Sequence, residues 1–244
     1  GFLGAIYSHG GVVERCELRN NTMTGHGGGI YALQGAVIRS SLIYSNQSNY
    51  GGALTLFDSA ADACTVENNT KNDRVSGILL RDSTAANCIS WSDDSGLYEG
   101  YPGSFVHCAL SGPPEPAADG GGNLNLDPLF EPGGYTLRYT YPVSPCADRG
   151  LNAPWMAGAH DLAGVSRIVN GIVDMGCYEI SEPNLPAVII TNKVSSVPQG
   201  VSSYVLMGTN NLNVTGPLVL SNATRGLQQS FARSGTQWEA PAIG

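Results

Sequence analysis

The feature that most constrains this chain is a repeat in its first half. Gly4-Ala5-Ile6-Tyr7 is echoed by Gly29-Ile30-Tyr31-Ala32 and by Gly51-Gly52-Ala53-Leu54, and each opening leads through a second apolar run to an Asn. Val12-Val13 with Cys16, Leu18 and Asn21 matches Val37-Ile38 with Ser41, Ile43 and Asn46 at a shift of 25, and Cys64, Val66 and Asn69 follow after a further 23. Cys88 comes 24 later and Cys108 another 20, so one position is filled in turn by Cys16, Ser41, Cys64, Cys88 and Cys108. Short apolar runs recurring at this period, with Gly and Asn between them, predict one coil of a parallel β-helix per repeat. Leucine-rich repeats share the period, but their regular Leu spacing is missing. Four clear coils and a shortened fifth are expected over residues 1–110.

Composition agrees. The 244 residues include 32 Gly, and 13% are charged, which argues against long solvated helices and coiled coils. Ten Arg and two Lys against 20 acidic residues leave a net charge of −8, so no basic stripe is available for nucleic acid. No apolar run reaches the roughly 18 residues of a membrane-spanning helix, so no membrane insertion is expected within this segment. Stacked coils repeat at about 4.8 Å, longer than the roughly 3.8 Å between the Cβ atoms of a disulfide. Cys16, Cys64, Cys88 and Cys108 are therefore expected to be stacked free thiols.

A different pattern begins after the loop Ser111-Gly112-Pro113-Pro114-Glu115-Pro116. Asn123-Leu124-Asn125-Leu126-Asp127-Pro128-Leu129-Phe130, Gly134-Tyr135-Thr136-Leu137, Ser144-Pro145-Cys146-Ala147-Asp148, Asp161-Leu162-Ala163-Gly164 with Arg167-Ile168, and Asp174-Met175-Gly176-Cys177-Tyr178-Glu179 form an ordered series. In this series the chain resembles the terminal module of bacterial secreted and surface right-handed parallel β-helix proteins of the choice-of-anchor Q group. The coil openings resemble those of pectate-lyase-like and polymorphic outer-membrane proteins. The resemblance spans residues 1–180 and implies an all-β fold with a capping module at 111–180. It also implies a secreted or extracellular cell-surface location. The family pattern carries Ala at the positions of Cys146 and Cys177, and this paired departure predicts a disulfide between them. Asp127, Asp148, Asp174 and Glu179 are weak calcium candidates; turn-capping and pairing with Arg167 explain them as well. Residues 181–244 resemble the start of an immunoglobulin-like β-sandwich, introduced by the linker Glu182-Pro183-Asn184-Leu185-Pro186. The ends suggest a piece of a longer polypeptide whose partners are its own further domains.

The chemistry-bearing motifs weigh against catalysis. Asp93-Asp94 is the adjacent acidic pair of the coils, but His26-Gly27 precedes it and Arg167-Ile168 lies beyond the coils, the wrong order for a pectinase-type hydrolase. Gly25-His26-Gly27-Gly28-Gly29 lacks the Lys-Ser/Thr of a phosphate loop, and Gly-x-Ser-x-Gly is missing. Trp91, Asp93, Asp94, Tyr98 and Tyr101 form a candidate glycan contact, with packing of Trp91 as the plainer reading. No cofactor is implied. The expectation is a non-catalytic structural or adhesive segment of a large secreted or cell-surface bacterial protein. The alternatives are a fragment of a carbohydrate-active β-helix enzyme with catalytic coils upstream, and a fibre-forming subunit completed by neighbouring chains.

Overall fold

The computed structural model describes residues 4–71, 75–97, 100–139 and 142–180, and the backbone of five strands beyond residue 187. The chain divides into two compact units, Gly1–Ser181 and Glu182–Gly244. The first is a parallel β-solenoid of about four turns. Each turn contributes one short strand to each of three five-stranded parallel sheets. The first sheet contains Ile6–His9, Ile30–Leu33, Leu54–Phe57, Ile78–Arg81 and Gly96–Leu97. The second contains Val12–Glu14, Val37–Arg39, Ala60–Asp62, Ser83–Ala86 and Gly103–Val106. The third contains Glu17–Arg19, Leu42–Tyr44, Thr65–Glu67, Ile89–Trp91 and Ala109–Leu110. Its register pairs Leu18, Ile43, Val66 and Ser90, so the offsets read from the repeat are the offsets of the stack.

The strands are short because the chain turns after each one. At the corner after the first sheet Gln34, Asp58 and Asp82 take φ of 51°, 49° and 50°, and after the second Ala63, Asn87 and His107 take 55°, 50° and 49°. After the third sheet Asn20, Ser45, Asn68 and Ser92 do the same, at 53° to 56°. A left-handed residue costs about 1 kcal/mol when it is not Gly, and the residue that follows it supplies the compensation. At Ser41, Ser83, Asn46, Asn69 and Cys108 that residue's side chain accepts the N–H of its counterpart one coil earlier while donating to the carbonyl two residues back. Thus Cys16 N–H donates to Ser41 Oγ at 3.2 Å and Ser41 Oγ donates to Arg39 O at 2.7 Å. Cys88 N–H donates to Cys108 Sγ at 3.4 Å, and Cys88 Sγ to Ala86 O at 3.1 Å. Asn123 Oδ1 continues this ladder, accepting Cys108 N–H at 2.8 Å.

The interior between the sheets is apolar. Ile30, Leu54 and Ile78 stack in one row and Ala32, Leu56 and Leu80 in the next, all fully buried. Ile38, Ile43, Val66 and Phe105 fill the remaining space. At about 25 cal/mol per Å² these rows are the main favourable term in folding.

Residues 116–180 belong to the same unit. Residues 116–124 add to the last coil through bridges from Phe105 to Asp119 and from Ala109 to Leu124. The chain then runs back along the flank of the stack. Tyr135 packs on Tyr44 with ring centroids 4.8 Å apart. Trp155 Nε1 donates to Asp62 Oδ2 at 2.7 Å, Leu151 N–H to Asn87 Oδ1 at 2.6 Å, and Cys177 N–H to Thr65 Oγ1 at 3.0 Å. Gly176, at φ +91°, lies so close that an added Cβ would meet Thr65 Oγ1 and Ile89 Cδ1 at 2.7 Å. This cover buries the outward residues Leu42, Thr65 and Ile89 of the third sheet, which is why those strands lack polar alternation.

In the second unit Val188–Ile190, Leu206–Asn210 and Gln237–Ala240 form a three-stranded antiparallel sheet, and Leu218–Asn222 pairs with Leu227–Phe231. The linker at 182–186, and most of the stretch read as a sandwich, lie outside the described residues.

Candidate functional site

The expected Cys146–Cys177 disulfide is not formed; all six cysteines are free. Each of the two is buried in a setting of its own. Cys146 closes a turn in which its N–H donates to Ser144 Oγ at 3.1 Å, whereas Cys177 is held against Thr65 of the third sheet. Burial pushes both thiols up to about 12, so neither is a nucleophile at neutral pH. Cys64 and Cys88 are fully buried and likewise pushed upward by desolvation, while Cys16 is partly exposed at the first coil.

Three of the four acidic residues weighed for calcium, Asp127, Asp174 and Glu179, have carboxylates engaged with protein donors, and the fourth, Asp148, is exposed. Asp127 accepts Leu129 N–H at 2.8 Å, as in a turn. Asp174 accepts the N–H groups of Asp148 at 2.6 Å and Ile180 at 2.7 Å. Glu179 pairs with Arg167 at 2.8 Å, both side chains being fully buried. Arg167 also donates to Asp174 O at 2.9 Å, and Asp161 accepts the N–H groups of Val165 and Glu179 at 2.7 and 2.8 Å. Burial pushes Asp174 up to about 6, and pushes Glu179 upward against the pull of Arg167. Among the described residues no group of three or more His, Cys, Asp and Glu could hold a metal ion.

The residues read as a glycan contact are dispersed. Asp93 is 4% exposed and is the last rung of an asparagine ladder. Asn21 N–H donates to Asn46 Oδ1 at 3.0 Å, Asn46 N–H to Asn69 Oδ1 at 2.9 Å, and Asn69 N–H to Asp93 Oδ1 at 2.6 Å. Burial lifts Asp93 to about 7. Asp94 is exposed and paired with Lys71. Trp91 ends a strand of the third sheet. Tyr98 lies outside the described residues. Tyr101 belongs elsewhere: Arg81 of the first sheet lies over its ring, 3.8 Å from the centroid.

That last contact locates a surface that sequence reasoning missed. Arg81 also lies 5.2 Å from the centroid of Phe57, so one guanidinium reaches two rings. Phe57 meets Tyr31 edge-on at 5.4 Å, and His26 lies 5.9 to 6.1 Å from Tyr31, Tyr50 and Phe57. Tyr7 stacks on Tyr31 at 6.0 Å. Tyr7, Tyr50 and Tyr101 are 50%, 52% and 38% exposed. Beside Phe57 and Arg81 the corner opens into a shallow groove of about 260 Å³, lined by Asp58, Asp82, Ser59, Ser83 and Thr84 among others. Of this row Tyr7, Tyr31 and Phe57 lie in first-sheet strands and His26, Tyr50 and Tyr101 outside them, whereas Asp58 and Asp82 are the left-handed corner residues after that sheet. No single stretch of sequence carries the pattern; it emerges when residues one coil apart are aligned.

Compared with protein-family models, curated proteins and solved structures, the chain matches none.

Proposed function

We propose that the chain is a non-catalytic structural and adhesive segment of a large secreted or cell-surface bacterial protein. In this reading residues 111–180 serve as the terminal module of the solenoid and residues 181–244 begin an immunoglobulin-like spacer. The observation that carries the proposal is the flank segment, bonded to Asp62 and Thr65 of one coil and to Asn87 of the next. A stack held by its own ladders and tied along its side is a stiff spacer that leaves proteases few openings. The test is digestion of the full chain by a broad-specificity protease, together with assays for new reducing ends and unsaturated uronates on acidic polysaccharides. Survival of residues 4–180 without product formation is expected; rapid cleavage within the coils, or depolymerised substrate, overturns the proposal.

One observation favours a second reading, a glycosidase. Asp58 and Asp82 stand on adjacent coils, about 4.8 Å apart along the axis, close to the roughly 5 Å between the carboxyls of a retaining enzyme. They rise one above the other from the same corner position of adjacent coils, however, and hydrolysis needs its two carboxyls to flank the scissile bond. Asp82 is further paired with Arg81 at 3.7 Å. The arrangement fits holding a sugar better than cutting one.

A further inference from the structure

We propose that the corner after the first sheet binds a neutral polyhydroxylated glycan laid along the solenoid axis. The inference rests on the structural and adhesive reading and names its ligand class. Three observations converge on that class.

The first is the row of rings. Tyr101 is 38% exposed, and Arg81 lies over its ring and that of Phe57, 3.8 and 5.2 Å from the centroids, so the side chains next in sequence to the groove's Asp58 and Asp82 form a pre-stacked strip. Such strips suit the C–H faces of pyranose rings, and little side-chain freedom is lost on contact because the stacking already fixes the rings.

The second is the line of acceptors. Gln34, Asp58 and Asp82 occupy the same corner position in successive coils, held by left-handed backbone at φ 51°, 49° and 50°. Their side chains are exposed and repeat at about 4.8 Å. A carboxylate only accepts, so a ligand here must bring donors, and charge-assisted bonds to hydroxyls are stronger than neutral ones. The exposed Thr84 adds a hydroxyl to the same groove.

The third is charge. Asp58, Asp82 and a net charge of −8 oppose a uronate or sulfated polymer, even with Arg81 at hand. A neutral sugar supplies the donors and apolar faces without that repulsion. The site repeats along the axis, so an extended strand engages several coils at once and gains avidity.

The experiment is affinity electrophoresis of the full chain in native gels containing mixed-linkage β-glucan, arabinoxylan or galactomannan, with polygalacturonate and alginate in parallel. Retardation by at least one neutral polymer and by neither acidic one is expected, and it should persist in high salt because no ion pair is involved. The double variant Asp58→Asn/Asp82→Asn, and separately Tyr101→Ala, should weaken retardation about tenfold. Tyr139→Ala, an exposed tyrosine outside the corner, should leave it unchanged. Circular dichroism of each variant reports folding, and the carboxylate pair keeps the test alive where Tyr101→Ala unfolds. Retardation by acidic polymers alone, by none, or undiminished in both variants overturns the inference. A protease-resistant chain that binds no neutral glycan refutes this site and leaves the structural reading intact. Shortening of a bound polymer refutes the non-catalytic reading and leaves the site intact.

Discussion

At the scale of single residues, the fold depends on side chains that do the work of backbone at each corner. Asn46 is 1% exposed; it donates to Leu18 O and Tyr44 O at 3.0 Å and accepts Asn21 N–H at 3.0 Å. Asn46→Ala removes these bonds and leaves buried groups on two coils without partners, so a loss of about 2–4 kcal/mol is expected in urea unfolding. Asp93 occupies the equivalent rung but as a carboxylate it cannot donate. Its proton affinity is raised in the folded protein to about 7 from 3.8. The folded state therefore holds the extra proton between those values. The associated stability is complete below about pH 4 and is lost as pH rises through 7. Relative to the wild type, Asp93→Asn should gain stability steadily in melts from pH 4 to pH 7 and hold a lead of about 2–4 kcal/mol at pH 8.5. The thiols give a direct count. Alkylation after denaturation without reductant should add six groups, whereas four would indicate a bridge.

At the scale of elements, legibility in the sequence followed the distance between contacting residues. The coils were readable because ladders stack equivalent residues at separations of 25, 23, 24 and 20. The rule also reaches Asp93, one spacing of 24 beyond Asn69. Its acidic identity and the aromatic residues around it suggested a surface role instead. The flank segment was not readable in the same way. Trp155 meets Asp62 across 93 residues and Cys177 meets Thr65 across 112, with no periodic signal to link them. The pairing of Arg167 with Glu179, in contrast, lies within one motif series and was among the pairings its residues suggested. The importance of the flank can be measured. Trp155 bonds Asp62 at 2.7 Å and supports Arg39, which lies 4.5 Å from its ring centroid. Trp155→Ala should cost about 2–4 kcal/mol. Hydrogen exchange should rise over residues 148–180 while Ile30–Leu33 and Leu54–Phe57 stay protected.

At the scale of the whole solenoid unit, coil neighbours and flank act on different ranges. Ladders and sheet bonds join each coil to the next, while the return segment touches Tyr44, Asp62, Thr65, Asn87 and His107 in turn. A stack with neighbour contacts alone behaves as a one-dimensional polymer whose terminal units fray while the middle persists. Tying four coils to one return segment raises the free energy of every partly frayed state. The solenoid unit should consequently melt in one calorimetric transition whose van't Hoff and measured enthalpies agree. Shortening the return segment would convert that single event into stepwise erosion from the end, making cooperativity in this solenoid a property of its side and not of its length.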